Sequence, residues 1–256
     1  MDQEKYAEEI DALTLMSDAF SRLVFKDKEC TEYVINTILN RNDLKVIENT
    51  TQYDAHTLNK RSLYFDIYAV DSNNNAYNIE IQNDTNGAGQ RRARYHSSVL
   101  DCTVAKKRMK FSHLVNTYVI FITKEDYFKR GKPIYTVKRK IEELDNEDFG
   151  DGSFIIYING KNNDDTPLGK LMQDFNCKNP KKMHSEILSK VVSDIKYGKG
   201  KKKMCEILES VELKGKIKVA NAMLSDGMSV EKVKKYTGLS KKEIRKLKEN
   251  ITKKEN

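Results

Sequence analysis

Two segments of alternating residue character, Arg61–Val70 and Ala76–Gln82, flank the run Asp71-Ser72-Asn73-Asn74-Asn75, and this arrangement restricts the fold more than any other part of the chain. Alternation with a period of two fits a strand and does not fit a helix, and a cluster of Asp, Ser and Asn favours a turn. In the first segment Leu63, Phe65, Ile67 and Ala69 share one face, while Tyr64, Asp66 and Tyr68 share the other. In the second, Tyr77, Ile79 and Ile81 oppose Asn78, Glu80 and Gln82. The apolar faces match, which predicts a hairpin. If its loop holds an odd number of residues centred on Asn73, Asp66 lies directly across from Glu80.

Elsewhere the apolar period changes. Leu13, Met16, Phe20, Leu23 and Val24, then Tyr33, Val34, Thr37 and Ile38, recur at helical spacing and predict one or two core helices over 13–39. Lys45–Tyr53 reads as a strand, Gln90–Met109 as a helix and Thr117–Ile122 as a strand buried on both faces. Ile134–Val137 and Phe154–Ile158 read as shorter strands, and nearly everything after Lys181 as helix. Helices, strands, a helix, more strands and terminal helices define an α/β chain. With 256 residues, 13 Tyr and 9 Phe it has ample material for a core, even at 38% hydrophobic.

The longest apolar run, Tyr118–Ile122, is far short of the roughly 20 residues that cross a bilayer, so no membrane span is expected. The acidic opening lacks the order of a secretion signal, and a cytoplasmic protein is expected. Cys30, Cys102, Cys177 and Cys205 form no C-x-x-C pair, so reduced structural thiols are expected. His56, His96, His113 and His184 make no metal-ligand spacing, which leaves zinc and a histidine base unsupported. For His96, packing or surface exposure is the expected fate.

The net charge of +8 is unevenly spread. Residues 178–256 hold 22 basic against 10 acidic residues, a surplus of 12, while residues 1–177 hold 24 against 28. A basic tail on a slightly acidic body points to a polyanion, nucleic acid before membrane, with a solvated lysine-rich face as the plain alternative. The reading divides the chain into a body over 1–195, a Lys/Gly-rich junction over 196–203 that is flexible and holds no core residue, and a basic helical tail over 204–256. In the tail Asp226-Gly227 ends a helix, and Ser229 caps the next. Thr237-Gly238-Leu239-Ser240 turns the chain, and Ser240-Lys241-Lys242-Glu243 is a capping box that opens a third helix. That pattern describes a helix-turn-helix, with Lys241, Lys242 and Arg245, beside Lys246 and Lys248, toward a duplex. A helical hairpin docked on the body with its lysines in water is the alternative.

Two carboxylates across a strand pair repel, and a divalent cation such as Mg²⁺ would relieve them. A solvent-facing strand edge with a slipped register is the alternative. After the hairpin, Gln90-Arg91-Arg92-Ala93-Arg94-Tyr95 opens a helix on which Arg91, Arg94, Tyr95 and Ser98 share a face able to hold a phosphodiester. Gly87-Ala88-Gly89 would let a backbone approach closely.

These residues resemble the PD-(D/E)XK nuclease superfamily, in particular its recombination-promoting nuclease or putative transposase branch. The resemblance runs over most of residues 13–210. It rests on Ser17-Asp18-Ala19-Phe20, the segment from Arg61 to Asp71, Tyr77-Asn78-Ile79-Glu80-Ile81-Gln82, Arg92-Ala93-Arg94-Tyr95 with Ser97-Ser98, Tyr118 to Thr123, Phe149-Gly150-Asp151-Gly152, and Pro167 to Phe175, taken in order. It implies a restriction-endonuclease-like core, a central mixed sheet flanked by helices, with an α-helical C-terminal tail, cutting DNA with Mg²⁺. It makes Asp66 and Glu80 the metal-binding pair and places Gln82 at the usual lysine position, while Asp18 matches an acidic position on the first helix. Arg91, Arg92, Arg94 and Tyr95 would contact DNA beside that site. A non-cleaving DNA-binding protein with a degenerate site is the competing expectation, an interaction module for another polyanion a third, and a homodimer is compatible with each.

Overall fold

The computed structural model describes residues 4–55 and 63–255, so Arg61 and Ser62 of the expected hairpin, and His56, lie outside the described residues. The chain divides into two compact units, Ala7–Gly200 and a second one built mainly from Lys201 onward.

The first unit opens with helices α1 (Ala7–Ala12), α2 (Asp18–Val24) and α3 (Lys28–Ile38). Strands β1 (Val46–Ala55), β2 (Leu63–Asp71) and β3 (Ala76–Gln82) follow, then helix α4 (Gln90–Val104). Next come β4 (Thr117–Thr123), β5 (Ile134–Val137), the two-residue strands β6 (Lys140–Ile141) and β7 (Glu147–Asp148), and β8 (Ser153–Asn159). Helices α5 (Pro167–Asn176) and α6 (Glu186–Tyr197) complete it. Six strands form one mixed sheet in the order β1-β2-β3-β4-β8-β5, with β3, β4 and β8 parallel and the other pairs antiparallel. This is the α/β, restriction-endonuclease-like architecture: a central sheet flanked by helices.

Turn chemistry explains the hairpin. The Asp71 carboxylate accepts the N–H of Asn73 at 2.8 Å and of Asn75 at 2.9 Å, and the Tyr77 hydroxyl at 2.7 Å. Asn74 takes the left-handed conformation, φ 64°, that Asn tolerates better than most residues. The sheet interior is apolar because Ile79, Ile81, Ile120, Ile122, Ile156 and Ile158 alternate onto one face and are all buried. Each contributes about 2 kcal/mol on leaving water. On the opposite face Val119, Phe121, Tyr157 and Tyr68 pack with Ala93, Val99 and Leu100 of α4. That helix stops at Val104, five residues before the expected Met109, because Ala105 is extended and Arg108 turns left-handed at φ 67°.

Lys196 corrects an expectation. Placed by composition in a run with no core residue, it belongs to α6 and is buried. Its ammonium donates to the carbonyls of Asp11 (2.9 Å), Leu13 (2.7 Å) and Lys178 (2.6 Å). Three carbonyl acceptors satisfy the three N–H donors of an ammonium, although burial still pulls its pKa down.

In the second unit, α7 (Lys201–Ser225), α8 (Val230–Thr237) and α9 (Lys241–Glu255) enclose a small core of Ala220, Leu224, Val233, Leu239 and Ile244. Gly238 closes α8 at φ 70°, and Ser229 caps its start by accepting the Lys232 N–H. The capping box is formed: Ser240 Oγ accepts the Glu243 N–H, and Glu243 Oε2 accepts the Ser240 N–H at 2.8 Å. Such a cap stabilises a helix by about 1 kcal/mol. Among the described residues no helix is long and apolar enough to cross a membrane.

Candidate active site

The hairpin register runs Ile67↔Ile79, Tyr68↔Asn78, Ala69↔Tyr77 and Val70↔Ala76, so its centre is residue 73 and the next pair outward is Asp66 and Glu80. There the backbone ladder stops and the carboxylates replace it as acceptors. Glu80 Oε1 accepts the Asp66 N–H at 3.2 Å, and Asp66 Oδ2 accepts the Ile81 N–H at 3.3 Å. Because β3 lies between β2 and β4, Glu80 is buried in the sheet, and the solvent-facing edge offered as an alternative is not what forms.

Each acid has a further partner. Gln52 of β1, opposite Asp66, donates its amide to Asp66 Oδ1 at 3.1 Å. It does so from a left-handed backbone, φ 55°, a conformation that costs a non-glycine residue about 1 kcal/mol or more and clusters at functional sites. Arg92 of α4 reaches Glu80 Oε2 at 3.3 Å, and Asp18 of α2 pairs with Arg22 at 2.6 Å. Burial, then the charges of Glu80 and Asp18, push the Asp66 carboxyl up to about 7, against the Ile81 amide and Arg22, which draw it down.

That shift has a signed consequence. The unfolded chain releases this proton near pH 4, while the folded, metal-free chain holds it to about 7. The contribution to stability is therefore present at low pH and lost as pH rises through that window. Thermal unfolding in chelator from pH 4 to 8 is expected to show Tm falling faster for the wild type than for Asp66→Asn, and parallel curves would contradict it.

The arginine helix is oriented differently from expectation. Ala93, His96, Ser97 and Leu100 face the sheet and are buried; Arg91, Arg92 and Arg94 are all exposed, but Arg92, one turn before His96, reaches back to Glu80, and Tyr95 packs at the edge of the α4 core cluster. His96, for which packing or surface exposure was expected, is packed: it is fully buried beside Phe65 and Phe121, and its Nδ1 also lies 3.5 Å from Glu80 Oε1. The helical spacing of Ala93, Ser97 and Leu100 around it was the available signal. Gln82 ends β3, and Gly87 serves it rather than an approaching backbone: a Cβ at Gly87 would lie 1.9 Å from Gln82 Oε1.

Two apposed carboxylates, Glu80 buried and Asp66 half-buried and held up to about 7, suit a hard divalent cation. No group of three or more His, Cys, Asp or Glu able to hold a metal occurs among the described residues. Mg²⁺ takes one or two carboxylates from a protein and keeps water and phosphate for the rest of its shell. Asp18 is near enough to raise the Asp66 pKa but is engaged by Arg22.

In the second unit Lys241 bonds Glu231 at 2.6 Å, and Lys242 and Arg245 are exposed on the first turns of α9. In a helix-turn-helix the N-terminal residues of the second helix enter the major groove.

Residues 19–216 match the model of the PD-(D/E)XK nuclease family transposase, and residues 213–249 match that of the Rpn/YhgA-like nuclease family, C-terminal HTH domain. No curated protein and no solved structure shows a significant match.

Proposed function

The chain belongs to the PD-(D/E)XK nuclease family transposase family, and on that footing we propose that it is a Mg²⁺-dependent DNA endonuclease whose metal is held by Asp66 and Glu80. The observation that carries this reading is the apposition of the buried Glu80 carboxylate and the half-buried Asp66 carboxylate, with Asp66 held up to about 7 by desolvation and by Glu80. A cation bound there would lower the pKa of the attacking water and offset the charge that develops on the phosphate. The chain's own residues do the rest. Arg92, half in solvent, can transfer from Glu80 to a phosphate oxygen by a charge-assisted hydrogen bond. Arg91, Arg94 and Tyr95 contact the flanking backbone. Gln82 orients the water through its amide and, unlike lysine, adds no charge, so cleavage is slower and leans more on the metal than in a lysine-bearing site. Lys241, Lys242 and Arg245 hold the duplex. A cytoplasmic location accords with such a substrate.

The second reading, a DNA-binding protein that no longer cuts, is favoured by Gln82 and by the ion pair of Arg92 with Glu80. Gln82 tests the difference. Gly87→Ala drives the Gln82 amide from its place, and only the end of a flexible side chain must move. Gly87→Ala and Gln82→Ala are therefore expected to keep the wild-type Tm and to lose about a hundredfold in plasmid nicking rate, the lower end of what a positioned water-handling group contributes. Undiminished nicking in both would remove Gln82 from the site.

A further inference from the structure

His96 sits where three polar groups converge in an otherwise apolar setting. Its ring lies between Phe65 and Phe121, with centroids 6.0 and 5.7 Å away. Nδ1 is 2.9 Å from the Asn78 side-chain amide and 3.5 Å from Glu80 Oε1, and Nε2 faces the Arg92 Nε–H at 3.2 Å. His96, Asn78 and Glu80 are all fully buried.

Hydrogen-bond arithmetic narrows the arrangement. A neutral imidazole has one donor and one acceptor. Arg92 Nε can only donate, so Nε2 must accept and the proton sits on Nδ1. An Nδ1–H faces the Asn78 amide at 2.9 Å and Glu80 Oε1 at 3.5 Å, and the Asn78 atom nearest it must be the amide oxygen for it to accept; with Nδ2 there instead, that oxygen is buried without a partner. With the Asn78 amide oxygen turned to the ring, the one Nδ1–H is shared between that oxygen at 2.9 Å and Glu80 Oε1 at 3.5 Å, while Nε2 accepts from Arg92. The other tautomer sets an N–H against the guanidinium and leaves Glu80 without a donor from this side.

We propose that His96 is the positioning residue of this site, fixing the Glu80 carboxylate through Nδ1–H and the Arg92 guanidinium through Nε2, so that one buried imidazole sets the metal ligand and the phosphate-binding cation in register. The inference rests on the reading of Asp66 and Glu80 as the metal pair. Hydrogen bonds to a ligating carboxylate commonly change metal affinity by about tenfold to a hundredfold.

Two measurements test it. In the intact wild-type protein, ring ¹⁵N shifts of His96 report the tautomer directly: Nδ1–H is expected, and Nε2–H overturns the proposal. In parallel, Mn²⁺ binding is titrated calorimetrically into wild type, Glu80→Ala, His96→Gln and His96→Phe, the last chosen because phenylalanine fills the space between Phe65 and Phe121. His96→Phe is expected to weaken Mn²⁺ by about tenfold to a hundredfold, with His96→Gln recovering part of the loss. A folded His96→Phe variant that binds Mn²⁺ like the wild type, while Glu80→Ala does not, overturns the proposal and spares the metal reading. Failure of wild type to bind Mn²⁺, or wild-type binding by Glu80→Ala, overturns both.

Discussion

Replacing Asp66 or Glu80 with alanine is expected to reduce Mg²⁺-dependent nicking of supercoiled DNA by about a thousandfold or more. A metal that polarises phosphate and water supplies several kcal/mol of transition-state stabilisation, and each 1.36 kcal/mol is a factor of ten. Both acids lie at the end of the β2–β3 ladder, Glu80 on the strand between β2 and β4, and Asp18, whose charge bears on Asp66, is held by Arg22 at 2.6 Å. The two variants should differ in stability. Asp66→Ala relieves a partly buried like-charge pair and is expected to keep or raise Tm, whereas Glu80→Ala leaves the Asp66 N–H without its acceptor and Arg92 with His96 alone and is expected to lower it by an amount corresponding to about 1–3 kcal/mol. Nicking by either variant at the wild-type rate would refute the assignment of the pair.

The second large effect belongs to the basic tail. Changing Lys241, Lys242 and Arg245 together to alanine is expected to weaken DNA binding about tenfold to a hundredfold at physiological salt. It should also make the slope of log affinity against log salt shallower by about 0.9 for each phosphate contact given up, near 3 for all three. Lys241 is engaged with Glu231, so part of its charge is already compensated and its share should be the smallest. Mn²⁺ binding should not change, because none of the three residues lies in the unit that holds Asp66 and Glu80. Fluorescence anisotropy across a salt series measures both quantities, and an unchanged slope would mean that α9 does not meet the phosphate backbone.

Which parts of this molecule could be read in the sequence follows from the range of the interactions that set them. The β2–β3 hairpin was legible because its period, its Asn-rich turn and the acceptor side chain of Asp71 all lie within about 20 residues. The capping box of Ser240 and Glu243 was legible for the same reason. Arg92 was already a candidate DNA contact, but its choice over Arg91 and Arg94 as the residue that meets Glu80 was not legible, because it depends on which stripe of α4 the sheet covers. Burial of Ala93, Ser97 and Leu100 decides that, and it also turns His96 inward. Gln52 could not be found at all: nothing local marks a glutamine that will adopt φ 55° to reach an aspartate on the next strand. Lys196 misled because composition registers its charge and not three carbonyls drawn from Asp11, Leu13 and Lys178, residues distant in sequence.

The measurement that bears most directly on the whole account is the fate of supercoiled plasmid incubated with the wild-type protein in Mg²⁺ and, separately, in excess chelator. Conversion to open-circle or linear DNA in Mg²⁺ alone is the expected result. Plasmid that the protein binds but leaves supercoiled under both conditions would contradict it and identify a DNA-binding protein that no longer cuts.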